Sequence, residues 1–210
     1  MPSEYGRAEE LVGISEGLVI NDQARWRPIW TVTDFRDPDD RVARAARGLV
    51  VRIRGRRVTI KRGLSLDELK RKFPDRFLQH QSFPGNLLLN EGINELWTLV
   101  AGTGATKFDT AAYTGVGDSA TAAAAAQTGL QAVTNKLYKA MDGGYPIYGT
   151  SQKVTYRSTY ATGDANWDWN EFTVANGNSD AAKNLNRKVQ ASGTKTSAFS
   201  RILTLDITLA

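Results

Sequence analysis

Apolar residues recur with the period of an α-helix between residues 89 and 100. Five of them fall on one helical face at about 3.6 residues per turn: Leu89, Ile93, Leu96, Trp97 and Val100. Asn86 or Asn90 can cap the start of this helix, and Gly102 suits a left-handed stop at its end. The stripe predicts one amphipathic helix whose apolar face lies on a sheet.

Alternation of apolar and polar positions predicts strands elsewhere in the chain. The alternation is most regular in residues 153–160 and 201–209, and it is weaker in residues 137–141 and 171–174. The apolar residues that the last strand is predicted to turn inward are Leu203, Leu205, Ile207 and Leu209. Residues 121–127 are rich in alanine and predict a turn of helix. Together these patterns predict a mainly β protein, an antiparallel β-sandwich with one amphipathic helix.

Another alternating segment spans residues 48–61. Val-Arg-Ile at residues 51–53 and Val-Thr-Ile at residues 58–60 stand on either side of Gly-Arg at residues 55–56. Two short alternating runs around a glycine are typical of a β-hairpin. A capping-box pattern at residues 65–68 then predicts a short helix.

The net charge of +5 is concentrated in the first part of the chain. Residues 1–85 contain 17 lysines and arginines and 12 acidic residues, whereas residues 86–210 contain 10 of each kind. Residues 41–62 include nine basic residues and no acidic one. This change in composition predicts an extended basic N-terminal arm in residues 1–84, which carries the hairpin and the short helix, and a β-sandwich domain in residues 85–210.

The predicted arm also contains Trp26 and Trp30 within a dense apolar cluster. Such rings stabilise a protein by a few kcal/mol when they are buried, so we expect them to pack on the sandwich or on a partner. Together with the basic residues of the hairpin they form the predicted partner-binding set: Trp26, Trp30, Arg52, Arg54, Arg56, Arg57, Lys61 and Arg62.

Composition excludes several classes of protein and site. The chain has no cysteine, which excludes disulfides, thiolate metal sites and cysteine nucleophiles and is typical of assembly in a reducing cytoplasm. No run of about 18 apolar residues occurs, so no transmembrane helix and no membrane contact are expected. The charged N-terminus lacks an apolar run, which predicts the absence of a signal peptide.

Three local patterns resemble catalytic or ligand-binding motifs but lack the required context. Residues 192–195 have the serine–lysine spacing of S-x-x-K enzymes, yet Gly193 and its hydroxyl-rich surroundings predict a loop instead of a helix. Residues 102–107 resemble a phosphate-binding loop, yet their glycines follow a helix and do not precede one. His80 is the single histidine and has no local partner for acid–base catalysis.

One local cluster of carboxylates consists of Asp164, Asp168 and Glu171, with Trp167 and Trp169 among them. The spacing does not match a calcium-binding loop. Aromatic rings beside acids suit carbohydrate binding, whereas a sheet-edge turn with buried tryptophans is the simpler interpretation. We expect no catalytic residue, no metal site and no cofactor.

Several short motifs follow one another along residues 85–210. They comprise Asn86, Leu89, Asn90, Gly92 and Leu96 of the predicted helix, then Gly115-Val116-Gly117-Asp118-Ser119, Trp169-Asn170-Glu171-Phe172, Leu185-Asn186-Arg187, Gly193-Thr194-Lys195-Thr196 and the closing strand. In this order they resemble the virion structural proteins of tailed bacteriophages, which are β-sandwich-like modules that decorate heads or form tail and fibre attachments. The resemblance implies a structural protein without an active site, located in the virion after assembly in the host cytoplasm.

The basic hairpin has two possible kinds of partner. Arginines on a two-stranded ribbon can follow the phosphates of a nucleic acid with a strong dependence on salt. Planar guanidinium groups also pair with carboxylates on an acidic protein surface. Arginine is enriched at protein interfaces, so in view of the resemblance we favour contact with the major capsid protein or other virion proteins, and we expect a homo-oligomer.

These observations predict a non-enzymatic structural protein of a tailed-phage virion. The favoured role is a minor capsid or decoration protein that binds the outer shell through its N-terminal arm. A tail, collar, baseplate or fibre-attachment protein is the nearest alternative, since it shares every feature used. A nucleic-acid-binding module that uses the hairpin is a further alternative, and a glycan-directed enzyme is the last.

Overall fold

The computed structural model describes residues 25–209, so residues 1–24 of the expected arm lie outside the described part of the chain. Two antiparallel five-stranded sheets pack face to face, which confirms the predicted β-sandwich. The first sheet contains, in spatial order, β4 (Phe77–Pro84), β1 (Trp26–Arg36), β12 (Phe199–Leu209), β9 (Lys153–Tyr160) and β8 (Ile147–Thr150). The second contains β5 (Leu87–Leu88), β11 (Asn186–Val189), β10 (Glu171–Ala175), β6 (Tyr113–Gly117) and β7 (Lys136–Ala140).

The main core lies between the two sheets. β1, β9 and β12 turn alternate residues inward because successive side chains on a strand point to opposite faces. The inward residues of the first sheet include Trp30, Val32, Tyr156, Tyr160, Leu203, Leu205 and Ile207, and those of the second include Val116, Phe172 and Val174. Trp30 meets Phe172 across the interface with ring centroids 5.6 Å apart, so aromatic contacts join the layers.

A smaller layer of helices covers the outer face of the first sheet. It consists of α1 (Arg41–Arg47), α2 (Leu66–Lys72) and a 3₁₀ turn (Pro74–Arg76). Their apolar residues form a second core with outward residues of the sheet: Phe35, Val42, Ala46, Leu69, Phe73 and Ile202. The predicted capping box at the start of α2 is confirmed, since the hydroxyl of Ser65 accepts from Glu68 N and the carboxylate of Glu68 accepts from Ser65 N.

The structure revises the predicted boundary between an arm and a sandwich. β1 pairs along its whole length with β12, from Trp26 opposite Leu209 to Arg36 opposite Phe199, and it also pairs with β4. Within the described residues, no break near residue 84 therefore divides the chain, and the prediction of a separate arm is wrong for β1 and β4. The charge balance was misleading because most of the basic residues among residues 25–84 belong to the hairpin and the outer helices, whereas β1 is an inner strand of the sheet.

The predicted amphipathic helix is present as α3 (Asn90–Ala101), but a different face packs. Leu96 and Leu99 contact the core, whereas Trp97 is 65% and Val100 77% exposed. The reason is Gly92, where an added Cβ would lie 2.5 Å from the Cα of Leu185, so the helix rests on that backbone through its glycine side.

Both predicted caps of α3 are wrong. Leu89 occupies the N-cap position with no side-chain cap bond, and Asn90 is already helical. Gly102 does end the helix, with its N–H donating to Thr98 O at 3.0 Å, but its φ of −130° is extended and not left-handed. Leu89 is nevertheless fully buried, which fixes the start of the helix by packing.

The predicted strands at residues 137–141, 153–160, 171–174 and 201–209 correspond to β7, β9, β10 and β12 and are confirmed. In β12 the inward residues Leu203, Leu205 and Ile207 are buried as expected, while Leu209 is 49% exposed at the strand end. The helix expected at residues 121–127 is absent there, and Gln127 instead closes a turn by donating its N–H to Ala124 O at 3.0 Å.

The longest helix among residues 25–209 is α3, with 12 residues. None of the helices in that range is long and apolar enough to cross a bilayer.

Candidate interaction surface

The basic hairpin predicted from the sequence is confirmed and consists of β2 (Leu49–Ile53) and β3 (Arg56–Lys61). Val51 stands opposite Val58 in the ladder between the two strands. The turn lies one residue earlier than expected, at Arg54 and Gly55, where φ is 49° and 80°. Positive φ at both central positions is the geometry that two-residue hairpin turns favour.

Hydrogen bonds to the sandwich hold the base of the hairpin. The Nη2 group of Arg57 donates to Met141 O at 2.7 Å. The N–H of Gly143 donates to Arg47 O at 2.7 Å, and the N–H of Gly63 donates to Gly143 O at 2.9 Å. The hairpin is therefore fixed at its base, while the turn at its tip is exposed.

Arg157 of β9 also binds the backbone at the base of the hairpin. Its Nη2 donates to Ala46 O at 2.6 Å and its Nη1 to Leu64 O at 2.7 Å, so it bonds the chain on both sides of the hairpin. Its Nε donates to Asp142 at 2.8 Å, and its guanidinium lies 4.2 Å from the ring centre of Tyr145. Arg157 is 2% exposed, so its charge is paired with Asp142 inside the protein and does not contribute to the surface.

One face of the hairpin is aliphatic and faces solvent. The ladder register and the alternation of side chains place Val51, Ile53, Val58 and Ile60 on this face. Ile53 is 51% exposed and Ile60 is 57% exposed. We call these four residues the hairpin face. β-branched residues of this kind are usually buried when they line one face of a strand pair.

Basic side chains lie on both sides of the hairpin: Arg56 stands opposite Ile53 on the side of the hairpin face, whereas Arg52 stands opposite Arg57 on the other side. Four exposed ones form no ion pair with any residue of the described chain: Arg52, Arg54, Arg56 and Lys61. Arg62 pairs with Glu68 at 3.3 Å, and Arg57 is half-buried against the carbonyl of Met141. Of the six basic residues predicted to bind a partner, four are therefore exposed and uncompensated.

The two tryptophans of the predicted partner-binding set belong to the sandwich. Trp30 is fully buried in the main core, so the prediction that it contacts a partner is wrong. Trp26 is half-buried against the same core, and its Nε1 donates to Asn86 Oδ1 at 3.1 Å. The regular alternation of β1 buries Trp30, and the pairing with β12 leaves Trp26 at the end of the sheet.

The predicted carboxylate cluster is dispersed by the fold. Asp164 pairs with Lys139, and Asp168 accepts from the hydroxyl of Thr194. Glu171 is fully buried. Within residues 25–209, no group of three or more histidine or acidic residues is arranged to hold a metal ion.

The tryptophans of this region are placed for packing. Trp169 is fully buried, with its Nε1 donating to Ala165 O at 2.9 Å, and Trp167 is half-buried against the core. Trp169 cannot stack on a bound sugar, so the glycan interpretation loses one of its two rings. A buried pair beside the sheet edge was the simpler expectation.

The serine and lysine of the S-x-x-K pattern do not meet. Lys195 donates through Nζ to Asn166 Oδ1 at 2.9 Å and to Thr196 O at 3.3 Å. Ser192 directs its hydroxyl to Trp169 O at 3.4 Å. Lys195 lies in a loop but is only 1% exposed, and this burial lowers its pKa to about 8. The arrangement fits a buried loop anchor.

His80 and the glycine-rich segment after α3, the other two motifs noted in the sequence, also contact residues of the fold. His80 lies on β4 with its Nδ1 2.8 Å from the hydroxyl of Thr33, and burial together with Lys70 lowers its pKa. In the glycine-rich segment after α3, the N–H of Thr106 donates to Glu95 at 2.6 Å. That segment follows a helix, as expected, and lacks the strand-to-helix geometry of a phosphate loop.

Three buried arginine–carboxylate pairs were not found from the sequence. Arg201 pairs with Asp34, Arg157 with Asp142, and Arg187 with Glu171, at 2.7, 2.8 and 2.7 Å. Partners in these pairs are 167, 15 and 16 residues apart, so no local spacing reveals them. The available signal was an arginine within each of three predicted strand or motif segments.

Comparison with family models, with curated proteins and with solved structures finds no match to this chain.

Proposed function

We propose that this protein is a non-enzymatic structural component of a tailed-phage virion, a minor capsid or decoration protein that binds the outer shell through its hairpin. One observation carries the proposal: an anchored hairpin presents an exposed aliphatic face bordered by uncompensated basic side chains. The order of motifs along residues 85–210 supports the assignment to virion proteins.

The hairpin face favours a protein partner over a nucleic acid. Covering the exposed halves of Ile53 and Ile60 stabilises a complex by about 1 kcal/mol each at ~25 cal/mol per Å². Nucleic acids present phosphates and base faces, which are recognised by basic and aromatic groups, and the hairpin carries no aromatic residue. An acidic protein surface with an apolar centre matches both properties of the hairpin.

The test is gel filtration of the purified protein with purified phage heads and, separately, with purified tails. The proposal predicts comigration with heads. The double variant Ile53→Thr/Ile60→Thr keeps β-branched residues but removes apolar area, and we expect it to weaken head binding by about tenfold or more.

Two matched variants serve as controls. Leu78 on β4 is 52% exposed, so Leu78→Thr removes a similar apolar surface outside the hairpin and should leave head binding unchanged. Trp97→Gln/Val100→Gln removes the exposed apolar pair on α3. Loss of head binding in this α3 variant, with full binding by the hairpin variant, would refute the hairpin as the attachment site.

A role in a tail, collar, baseplate or fibre attachment rests on the same hairpin and remains the alternative. Binding to tails but not to heads would select it. A nucleic-acid-binding role is favoured only by the four unpaired basic residues. A salt-dependent shift of duplex DNA that is lost in Arg52→Gln/Arg56→Gln would select that role.

A further inference from the structure

A cavity of about 320 Å³ lies where α1, the base of the hairpin and β7 meet. Its lining includes four basic residues, Arg44, Arg47, Arg57 and Lys139, and no carboxylate. Val50 and Met141 contribute to its apolar wall. Val50 and Arg57 alternate with the residues of the hairpin face, so the cavity opens on the opposite side of the hairpin.

Backbone carbonyls hold the three guanidinium groups in place. Arg57 donates to Met141 O at 2.7 Å, Arg44 donates to Asp39 O at 2.9 Å, and Arg47 donates through Nε to Ala43 O at 3.4 Å. None of the three forms a salt bridge with a described residue. The groups are therefore positioned while most of their N–H donors stay available.

Two acidic residues, Asp164 and Asp40, lie beside basic residues of the lining. Asp164 pairs with Lys139 and also accepts from the N–H of Ala161 at 2.8 Å. Asp40 accepts from Thr162, and the pKa of Asp40 is lowered first by that bond and to a lesser degree by Arg47 and Arg44. Lys139 is therefore compensated by Asp164, whereas Arg44, Arg47 and Arg57 line the cavity without a salt bridge to a described residue.

We propose that this cavity binds a small phosphate-bearing anion. Guanidinium groups match the oxygens of a phosphate in pairs of hydrogen bonds, and several of them in a fixed arrangement select a multiply charged oxyanion. A volume near 300 Å³ is at the small end of ligand pockets and exceeds that of a single phosphate. The ligand class is therefore an oligophosphate or a phosphorylated small molecule. In the second case the uncharged part of the molecule lies against Val50 and Met141.

The first experiment is calorimetric titration of the full chain with inorganic tripolyphosphate. We expect saturable binding with one site per chain. Arg44→Gln/Arg47→Gln should weaken it by about tenfold or more, because two of the three arginines that line the cavity are lost. The control Lys107→Gln/Lys183→Gln removes the same charge from exposed positions and should bind as the parent does.

Two further variants separate the cavity from general surface charge. Val50→Phe keeps every charge but fills part of the cavity, and we expect it to weaken binding about tenfold. Arg54→Gln/Arg56→Gln removes charge from the hairpin tip and should change binding by less than about threefold. Full affinity in Val50→Phe, an equal loss in both arginine pairs, or no saturable binding would each overturn the proposal.

Competition with duplex DNA identifies the source of the phosphate. If the ligand is a free small anion, duplex DNA added at an equal concentration of phosphate groups should not displace tripolyphosphate. Displacement by DNA would overturn the assignment to a small anion and favour a phosphodiester backbone. The outcome is independent of head binding, because the hairpin face and the cavity lie on opposite sides of the hairpin.

Discussion

At the scale of single residues, charged groups carry much of the internal structure. Arg201 binds Asp34 through two hydrogen bonds of 2.7 and 2.8 Å, and both residues are 1% exposed. The guanidinium of Arg201 also lies 4.8 Å from the ring centre of Trp169. A buried pair of this kind contributes little net stability, yet loss of one partner leaves an uncompensated charge in the interior.

Replacement of one partner should therefore cost more than replacement of both. We predict that Arg201→Met lowers the free energy of unfolding by about 3–5 kcal/mol, and that Asp34→Asn/Arg201→Met is less destabilised than the sum of its single changes. Urea unfolding of the four proteins measures this coupling. Arg62→Met, at the exposed pair with Glu68, should change stability little. Strict additivity at Asp34 and Arg201 would contradict the account.

Lys195 provides a residue-scale prediction about pH. Burial lowers its pKa from an ordinary value near 10.5 to about 8. Below pH 8 the folded chain holds a charged lysine in a buried site, so Lys195→Met should stabilise the fold by about 1–3 kcal/mol at pH 7. Between pH 8 and 10.5 the folded chain releases this proton before the unfolded chain does, so the stability of the parent rises relative to the variant.

Thermal or urea unfolding of parent and variant at pH 7 and pH 10 measures this difference. Ionisation of the buried tyrosines affects both proteins equally and cancels in the comparison. Lys107→Met, at an exposed position, controls for the change in net charge. A Lys195→Met variant whose advantage over the parent is the same at both pH values would show that Lys195 is not the group responsible.

At the scale of elements, backbone contact decides which face of α3 packs. Gly92 rests on the backbone of Leu185, and this contact turns Trp97 and Val100 toward solvent. Gly92, Glu171 and Arg187 all belong to the short motifs noted along residues 85–210, and each holds parts of the sandwich together. Those motifs therefore describe a structural framework.

Gly92→Ala tests this contact. Alanine improves helix propensity by about 1 kcal/mol, but the new methyl group would lie 2.5 Å from the backbone of Leu185. We predict a net loss of about 2 kcal/mol or more in the free energy of unfolding. Asn94→Ala, at an exposed position of the same helix, should be neutral or stabilising. An increase in stability for Gly92→Ala would contradict the packing described here.

Elements with local signals could be predicted from the sequence. Alternation located β9 and β12, and the Ser65–Glu68 pattern located the start of α2. α1 was missed because Asp37, which accepts from the N–H groups of Val42 and Ala43, precedes the helix by a turn that reads as irregular. The two hydrogen bonds that Asp37 accepts, of 2.9 and 2.8 Å, depend on the fold around this residue.

At the scale of the whole molecule, the sequence predicted the exposed basic hairpin but not the order of the strands in the sheets that carry it. The hairpin and its exposed basic residues were predictable, since alternation and charge are local properties. The central place of β1 was not, because it depends on pairing with β12 at the other end of the chain. The cavity was only partly visible in the sequence: Arg44, Arg47 and Arg57 belong to the basic run of residues 41–62, but the approach of Lys139 and Met141 from β7 and the turn after it depends on the fold.

The most direct test of the proposed virion role is a search for this protein in a purified tailed-phage particle by cryo-EM reconstruction at a resolution that traces strands. The account predicts a two-sheet density for this protein on the head, with residues 49–61 against a neighbouring capsid protein and Ile53 and Ile60 covered. A reconstruction in which the hairpin projects into solvent, or in which the sandwich is absent from the particle, would contradict it.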